Sequence, residues 1–412
     1  MDRILSSFLE ARCLTVLFWL MVSVLTVVKV ECSAQELSGL VEYTDFGKNS
    51  VSVSGVSEVF PKNTEEVLNV VRKAISEKRS IRVRASAHSM NGTTLPKNDE
   101  ILLRTDSLSQ FSFDAEGTIT VGCGNRIHDI LPVLKAHGFN LPAIPGGGTG
   151  ITVGGFIAAG GFDRNLESWR FHYGGFWENV RSVKIVTGTG DVLTAINGDT
   201  LFSYLFGGMG QLGIMISATL DIVPDPEQRS TDSAYPLGLR GRLVRGSFEQ
   251  VYPRDNDVLF GYQFESMFWY ALFGPDSEND RVKGGLAHLM AYHKGRSTSD
   301  VQYNIKCIPV PFRTFMPPLV YPLQESFNGC AMQVFHRKRS VDETSLMHDM
   351  YELADSLGKT LGFARYLQGE YVPKGPDWYK AYFGESLYES FRKLRQKMDP
   401  NEIINPGTVF PN

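Results

Sequence analysis

From Leu141 to Gly161 the chain reads LPAIPGGGTGITVGGFIAAGG. Neither a helical nor a strand period survives there, because glycine and proline break both. Such a stretch specifies a loop of close approach, since small side chains let the main chain lie against a ligand or another backbone. The chain has 40 glycines, and they cluster between Gly146 and Gly213. Any fold this chain adopts must hold that glycine-rich tract between regular elements.

A second stretch has the same character. In Ile81 to Leu95, Ile81, Val83 and Ala85 alternate with Arg82, Arg84 and Ser86, the period of a β-strand. The alternation stops at Ala87-His88-Ser89-Met90-Asn91-Gly92. A run of small residues lets successive N–H groups converge on one concavity, an anion nest suited to a diphosphate. The plain alternative is a strand-to-turn carrying a solvated histidine, and the rest of the chain has to decide between them.

The 412 residues and a formal charge of −4 suit one large or two modest domains with real cores. The near balance of charge points away from a polyanionic partner, so no nucleic acid is expected. Residues 1–34 stand apart. Arg3 and Arg12 precede an apolar run, Cys13 to Val28, followed by Lys29 and Cys32-Ser33-Ala34. This reads as a secretory signal cleaved near Ala34 and an exported, secreted or periplasmic protein. The length of the run also allows a retained membrane anchor. Beyond Cys13 and Cys32, three cysteines remain. A Cys307–Cys330 bridge in an oxidising compartment and two unpaired buried cysteines both stand. Cysteine and histidine show no metal-ligand spacing, so no metal is expected.

Along the chain, Asn63-Thr64-Glu65-Glu66 starts a helix with a capping pattern. Val67, Val70, Val71, Ala74 and Ile75 then share a face. Thr118 to Val121 reads as a strand. Asp129 can cap the next helix, which would put Pro132 in its first turn, and Gly138 ends it. Val180 to Val186 and Asp191 to Thr194 flank a Thr-Gly-Thr-Gly hairpin turn. Thr200 to Phe206 reads as helix and Ile214 to Val223 as strand. Between them, Gly208-x-Gly210-x-x-Gly213 matches the dinucleotide fingerprint literally. Its context is reversed, because that fingerprint must follow a strand and open a helix. A nicotinamide-binding Rossmann fold is therefore rejected.

Pro224-Asp225-Pro226-Glu227 marks a boundary. Phe264, Phe268, Trp269, Tyr270 and Phe273 follow, which suit either an ordinary sheet core or a substrate pocket. Ser340 to Gly358 carries an amphipathic helix, Phe363 to Val372 a strand, and Tyr388 to Met398 a basic helix. The organisation that results is residues 40–225 as one domain, 226–370 as a second, and 371–412 as a segment returning to the first.

Five motifs now occur in order: Arg84 to Asn91, Thr152-Val153-Gly154-Gly155, Gly174 to Val180, Gly207 to Ile214, and the Asp399 to Phe410 tail. Together they resemble the FAD-linked oxidoreductases of the vanillyl-alcohol oxidase superfamily, over about residues 55–225 and 375–412. The likeness runs furthest toward the cytokinin dehydrogenase branch. The resemblance implies an α+β fold: a two-subdomain FAD-binding domain of the PCMH type with a separate α+β substrate, or cap, domain. It implies FAD as cofactor, a small-molecule substrate, and molecular oxygen or another electron acceptor. His88 matches the histidine that carries the flavin covalently in many members. The loop Arg84, Ala85, Ser86, Ala87, with Ser89 and Asn91, matches residues around the diphosphate. In the second loop Gly147, Thr149, Gly150, Thr152, Gly155, Ala158 and Phe162 match positions along the cofactor. Ile214 matches a residue whose backbone meets the adenine, and Asn405 and Thr408 match tail residues near the flavin ring.

The departures carry information too. Alanines stand at 85 and 87 where the family usually has glycine, and alanine at positive φ is strained. No cysteine lies between Leu141 and Gly161, so a second, cysteinyl flavin bond is excluded. Gly147 occupies the place of the cytokinin dehydrogenase aspartate base and cannot abstract a proton. On the strand Phe363 to Val372, a period of two puts Tyr366, Gln368 and Glu370 on one face. Glu370 is then the candidate base and Tyr366 a hydrogen-bond donor or sandwiching ring; a solvated or packed face is the alternative. The expected activity is hydride removal from an activated CH–OH or CH–NH group. Two rivals are an exported flavin-binding protein without turnover and a flavin electron-transfer subunit.

Overall fold

The structure is a computed structural model. It describes residues 35–410 apart from 37–38, 48, 90–91, 115–116, 144–149, 163–174, 226–244, 248–257, 260–261, 264–265, 299, 311, 313, 339–342, 367–374 and 409. The amino-terminal segment 1–34 and the candidates Asn91, Gly147, Thr149 and Glu370 lie outside the described residues.

A hairpin of Val41–Thr44 and Ser50–Val53 comes first. A parallel unit follows: β1 (Ser57–Val59), α1 (Thr64–Glu77), β2 (Ile81–Arg84) and β3 (Ile101–Arg104). β3 lies between β1 and β2 and runs parallel to both, and Gln35–Glu36 adds an antiparallel edge to β1. α1 starts where its capping pattern says. The Asn63 side chain accepts from Glu66 N, and the Glu66 carboxylate accepts from Lys62 N in return, which satisfies orphan donors of the first turn. Val67, Val70, Val71 and Ala74 are buried against the sheet. Arg82 leaves β2 into a fully buried ion pair with Glu100, 2.9 and 3.1 Å between the paired atoms.

The second sheet is antiparallel. It contains β4 (Gln110–Asp114), β5 (Thr118–Gly122), β6 (Val180–Val186), β7 (Val192–Ile196) and β8 (Ile214–Asp221). Its order is β7-β6-β8-β5-β4, with Arg245–Ser247 beside β4. Three helices connect it: α2 (Ile127–Ala136), α3 (Val153–Ala158) and α4 (Thr200–Leu205). α2 begins before Asp129, which corrects the expected cap. Ile127 N donates to Ile151 O, Arg126 bridges to Thr152, and Ile127, Ile130 and Leu134 are buried. These tertiary contacts start the helix early and leave Pro132 in its interior. Asp129 sits in the first turn instead, where a carboxylate complements the helix dipole.

The third sheet has order β10-β11-β9-β12, all antiparallel, from β9 (Ser266–Pro275), β10 (Asp300–Val310), β11 (Phe327–Lys338) and β12 (Ala364–Arg365). Helices α5 (Asn279–Lys294) and α6 (Glu343–Leu361) cover one face. Phe268 and Tyr270 belong to the core between sheet and helices, so for these two the sheet-core reading holds. Of the strand expected from Phe363 to Val372, Ala364–Arg365 forms β12, Tyr366 follows it with its N–H donating to Ala271 O, and residues 367–372 lie outside the described residues. Cys307 and Cys330 oppose each other on β10 and β11 and form a disulfide; Cys123 is free and buried. The chain ends with α7 (Pro376–Phe383), α8 (Glu385–Met398) and a tail that returns to the first sheet, where Ile81 N donates to Ile403 O. The class is α+β, as expected.

Candidate functional site

The loop after β2 is held from outside by the first hairpin's turn. Phe46 N donates to Ala87 O at 2.9 Å and Gly47 N to Ser89 O at 3.2 Å. The Asp45 carboxylate accepts from Gly92 N at 2.8 Å and from Asn49 N at 3.0 Å. Phe46 stacks flat on the His88 imidazole. Ala87 stands at φ +55, whereas Ala85 is not among the positive-φ residues. One of the two alanines thus takes the left-handed conformation that favours glycine, at a cost of about 1–2 kcal/mol.

The second loop delivers α3. Thr152 caps it, its hydroxyl accepting from Gly155 N at 3.2 Å. Gly154 lies so close to Cys123 that a Cβ there would sit 2.9 Å from the cysteine Cβ. Glycine at 154 therefore brings α3 down onto the end of β5. The third wall comes from Gly207 to Gly213, which follows α4 and enters β8 as the reversed fingerprint implied. Asn405, in the tail, binds these parts together. Its Oδ1 accepts from Val83 N at 2.8 Å, and its Nδ2 donates to Met209 O and Gly210 O at 3.3 and 3.2 Å. A Cβ on Gly210 would sit 2.8 Å from that Nδ2.

Between these walls and the exposed face of β11 lies one continuous cavity. Of the expected site residues, Ala85, Ser86, Ala87, His88, Ser89, Thr152, Gly155, Ala158, Phe162, Tyr366 and Asn405 line it. Gly150 faces the His88 ring, at 3.8 Å from its built Cβ. Three expected residues lie behind the lining. The Arg84 guanidinium donates to Thr44 O at 2.7 Å and ties the hairpin to β2. Ile214 is fully buried in β8, and the Thr408 hydroxyl donates to Asn405 O.

Among the described residues no Asp, Glu, Lys or Arg lines the cavity. Among the described residues His88 Nδ1 is buried without a hydrogen-bond partner. Burial, and then the charge of Arg126, lower the His88 pKa to about 4, so the ring is neutral near pH 7. Burial pushes the Tyr366 phenol far up, so it stays protonated and can only donate or accept a hydrogen bond. Burial likewise raises the Cys123 thiol, which leaves it an unreactive wall residue.

Residues 57–195 match the model of a family described as an FAD binding domain. That match takes in the parallel unit and reaches into the second sheet, about a third of the chain. The chain is similar to a D-lactate dehydrogenase of Archaeoglobus fulgidus, 28% identical over 40% of this chain and 38% of that one. An alditol oxidase of a Streptomyces species is 30% identical over 40% and 38% respectively. Cytokinin dehydrogenase 5 of Arabidopsis thaliana is 26% identical over 55% and 41%. The chain therefore spans about two fifths of the length of these relatives.

The residues present suit FAD. Among the described residues, two loops of small residues, one buried imidazole nitrogen without a partner and a cavity lining without charged side chains meet a cofactor of mixed apolar and diphosphate character. The hairpin turn at Asp45 and Phe46 precedes the FAD-domain match and was not foreseen. No local period marks it, because its partners are loop residues some 40 positions on. Gln333 on β11 was missed for the same reason: a lone glutamine in a strand carries no signal until its face is known.

Proposed function

We propose that the chain is an FAD-dependent oxidoreductase acting on an activated CH–OH or CH–NH group, with FAD attached covalently to His88. The observation that carries this is the neutral, buried His88 ring in the wall of the cavity, its Nδ1 without a partner among the described residues. When bound, FAD accepts a hydride from the substrate carbon. The protein's own groups do the rest. The Ala85–Ser89 loop and the Thr152–Ala158 segment offer main chain to the cofactor at close range. β11 and Tyr366 close the opposite side and exclude water. Tyr366, held protonated, is placed to donate a hydrogen bond, and the ring of Phe162 stands edge-on to it with centroids 5.6 Å apart.

A neutral imidazole is the nucleophilic form, and a pKa near 4 keeps it so over the whole physiological range. His88 would hold FAD through a bond from its imidazole to the flavin 8α-methyl, with dioxygen as the two-electron oxidant that forming such a bond requires. The proton acceptor in substrate oxidation we assign to Glu370, with the substrate domain over 226–370 supplying specificity. The Cys307–Cys330 disulfide supports export to an oxidising compartment after removal of residues up to about Ala34.

The deciding experiment is a spectrum of purified protein before and after acid precipitation. A yellow pellet, and a flavin adduct on the peptide containing His88, are expected. His88→Ala should release its flavin to the supernatant. Free FAD above a colourless wild-type pellet would reject the bond but keep the site. Bleaching of the flavin by a substrate panel separates turnover from mere binding, and unchanged reduction in Glu370→Gln would remove that residue from the mechanism.

A further inference from the structure

β11 is an inner strand of the third sheet, paired with β9 on one side and β10 on the other. Its main-chain donors and acceptors are consumed by those ladders, so this wall can address a ligand only through side chains. The side chains alternate. Cys330, Met332 and Val334 face the helices; Gly329, Ala331 and Gln333 face the cavity. Gly329 and Ala331 leave room. Among the described residues Gln333 is the sole hydrogen-bonding side chain of that strand to line the cavity, and it is 7% exposed.

Gln333 is also oriented. Asn304, its cross-strand partner on β10, donates from Nδ2 to Gln333 Oε1 at 2.9 Å. That contact takes the amide oxygen and leaves the NH2 without a partner among the described residues. Four residues away along β11, about 13 Å at strand spacing, the cavity is apolar: Phe162 packs against Gly329 and forms edge contacts with Phe273, Phe327 and Tyr366 at 5.3, 6.1 and 5.6 Å.

We propose that Gln333, oriented by Asn304, recognises the substrate, and that the substrate is an uncharged molecule with an aromatic or apolar body and one hydrogen-bond acceptor. This rests on the oxidoreductase reading above. An anion spanning this wall would meet the Gln333 amide at one end, the Tyr366 hydroxyl among aromatic rings at the other, and no cation among the described residues. Burying an ionised carboxylate on those terms is strongly unfavourable. An unmatched polyol would leave several hydroxyls buried without partners. Gln333 sets specificity; Asn304 is a positioning residue.

The test uses flavin-loaded full-length protein and three probes of similar shape: acetophenone, benzoate and ethylbenzene. Their binding is read as perturbation of the flavin absorption bands. Acetophenone should bind about tenfold or more tightly than either of the others. Gln333→Leu should weaken acetophenone about tenfold, the worth of one net hydrogen bond, and leave ethylbenzene unchanged. Asn304→Ala should weaken acetophenone less, and should add nothing in the double variant. Gln333→Met serves if the leucine variant fails to load flavin. Benzoate binding as tightly as acetophenone, no response to acetophenone, or an unchanged affinity in the loaded Gln333 variant would overturn the proposal. A wild-type protein without flavin would instead overturn the functional reading beneath it.

Discussion

Phe46 lies flat on the imidazole of His88, with ring centroids 4.1 Å apart and planes at 13°. The contact is made by a hairpin turn whose own main chain also holds the His88 loop. It covers one face of the ring and adds to the burial that keeps the imidazole neutral. Phe46→Leu retains an apolar side chain but loses the flat face. We expect a lower flavin-to-protein ratio and a smaller acid-stable fraction, with unfolding free energy reduced by about 1 kcal/mol. Full, acid-stable occupancy in this variant would show that the stack does not prepare His88.

Asp45 gives a signed pH dependence. Burial raises its pKa from 3.8 to about 6, against the hydrogen bonds from Asn49 and Gly92. A carboxyl whose pKa is higher folded than unfolded contributes stability that is full below the unfolded pKa and lost as pH rises through the folded one. At 1.36 kcal/mol per pH unit the loss is about 3 kcal/mol between roughly pH 4 and pH 7. His88 works the other way: its contribution is present above pH 6.5 and lost as pH falls toward about 4. Comparing flavin-free wild type with Asp45→Asn cancels the His88 effect. The wild type should lose about 3 kcal/mol relative to the variant over that window in urea denaturation, and a flat difference would contradict the burial of an ionisable carboxyl at this place.

Ala87 at φ +55 is a strained residue in a functional loop. Ala87→Gly removes the Cβ clash while keeping the carbonyl that Phe46 N uses. Glycine's larger unfolded-state entropy offsets part of the gain, so the net stabilisation should be about 0.5–1 kcal/mol. A rise in urea midpoint at unchanged slope is the expected result. Destabilisation would mean that the loop takes another conformation.

Asn405 joins β2, the Gly207–Gly213 turn and the tail through three hydrogen bonds. It also sits at φ +45, so alanine there would mix two effects. Asn405→Gly tolerates the backbone angle and removes only the side chain. We expect about 2–3 kcal/mol of destabilisation from the stranded partners, together with flavin loss on gel filtration. A stable, flavin-retaining glycine variant would show that the tail is held by its other contacts.

Much of the scaffold was legible because its signals are local. The capped start of α1, the alternation of β2 and the helix-then-strand context of Gly208–Gly213 each lie within one turn or one strand, where spacing alone sets the faces. The α2 start was misread because a distant bridge, Arg126 to Thr152, outweighed the local cap at Asp129. Within the site, the loops of small residues and His88 stood out by composition. Arg84 and Ile214 behind the lining did not, since the side of an element a residue faces is settled by what packs on it.

The amino-acid sequence by itself determined the two close-approach loops, the α+β class and the FAD likeness, because glycine content, period and motif order are properties of the chain read along its length. Only the tertiary structure decided that Phe46 covers His88, that Asn405 fastens Val83 to Gly210, and that Gln333 faces the cavity. Those contacts join residues 42, 322 and 195 positions apart or depend on the pairing of a whole sheet. No pattern within one segment encodes them, because they follow from packing several elements around a shared interior.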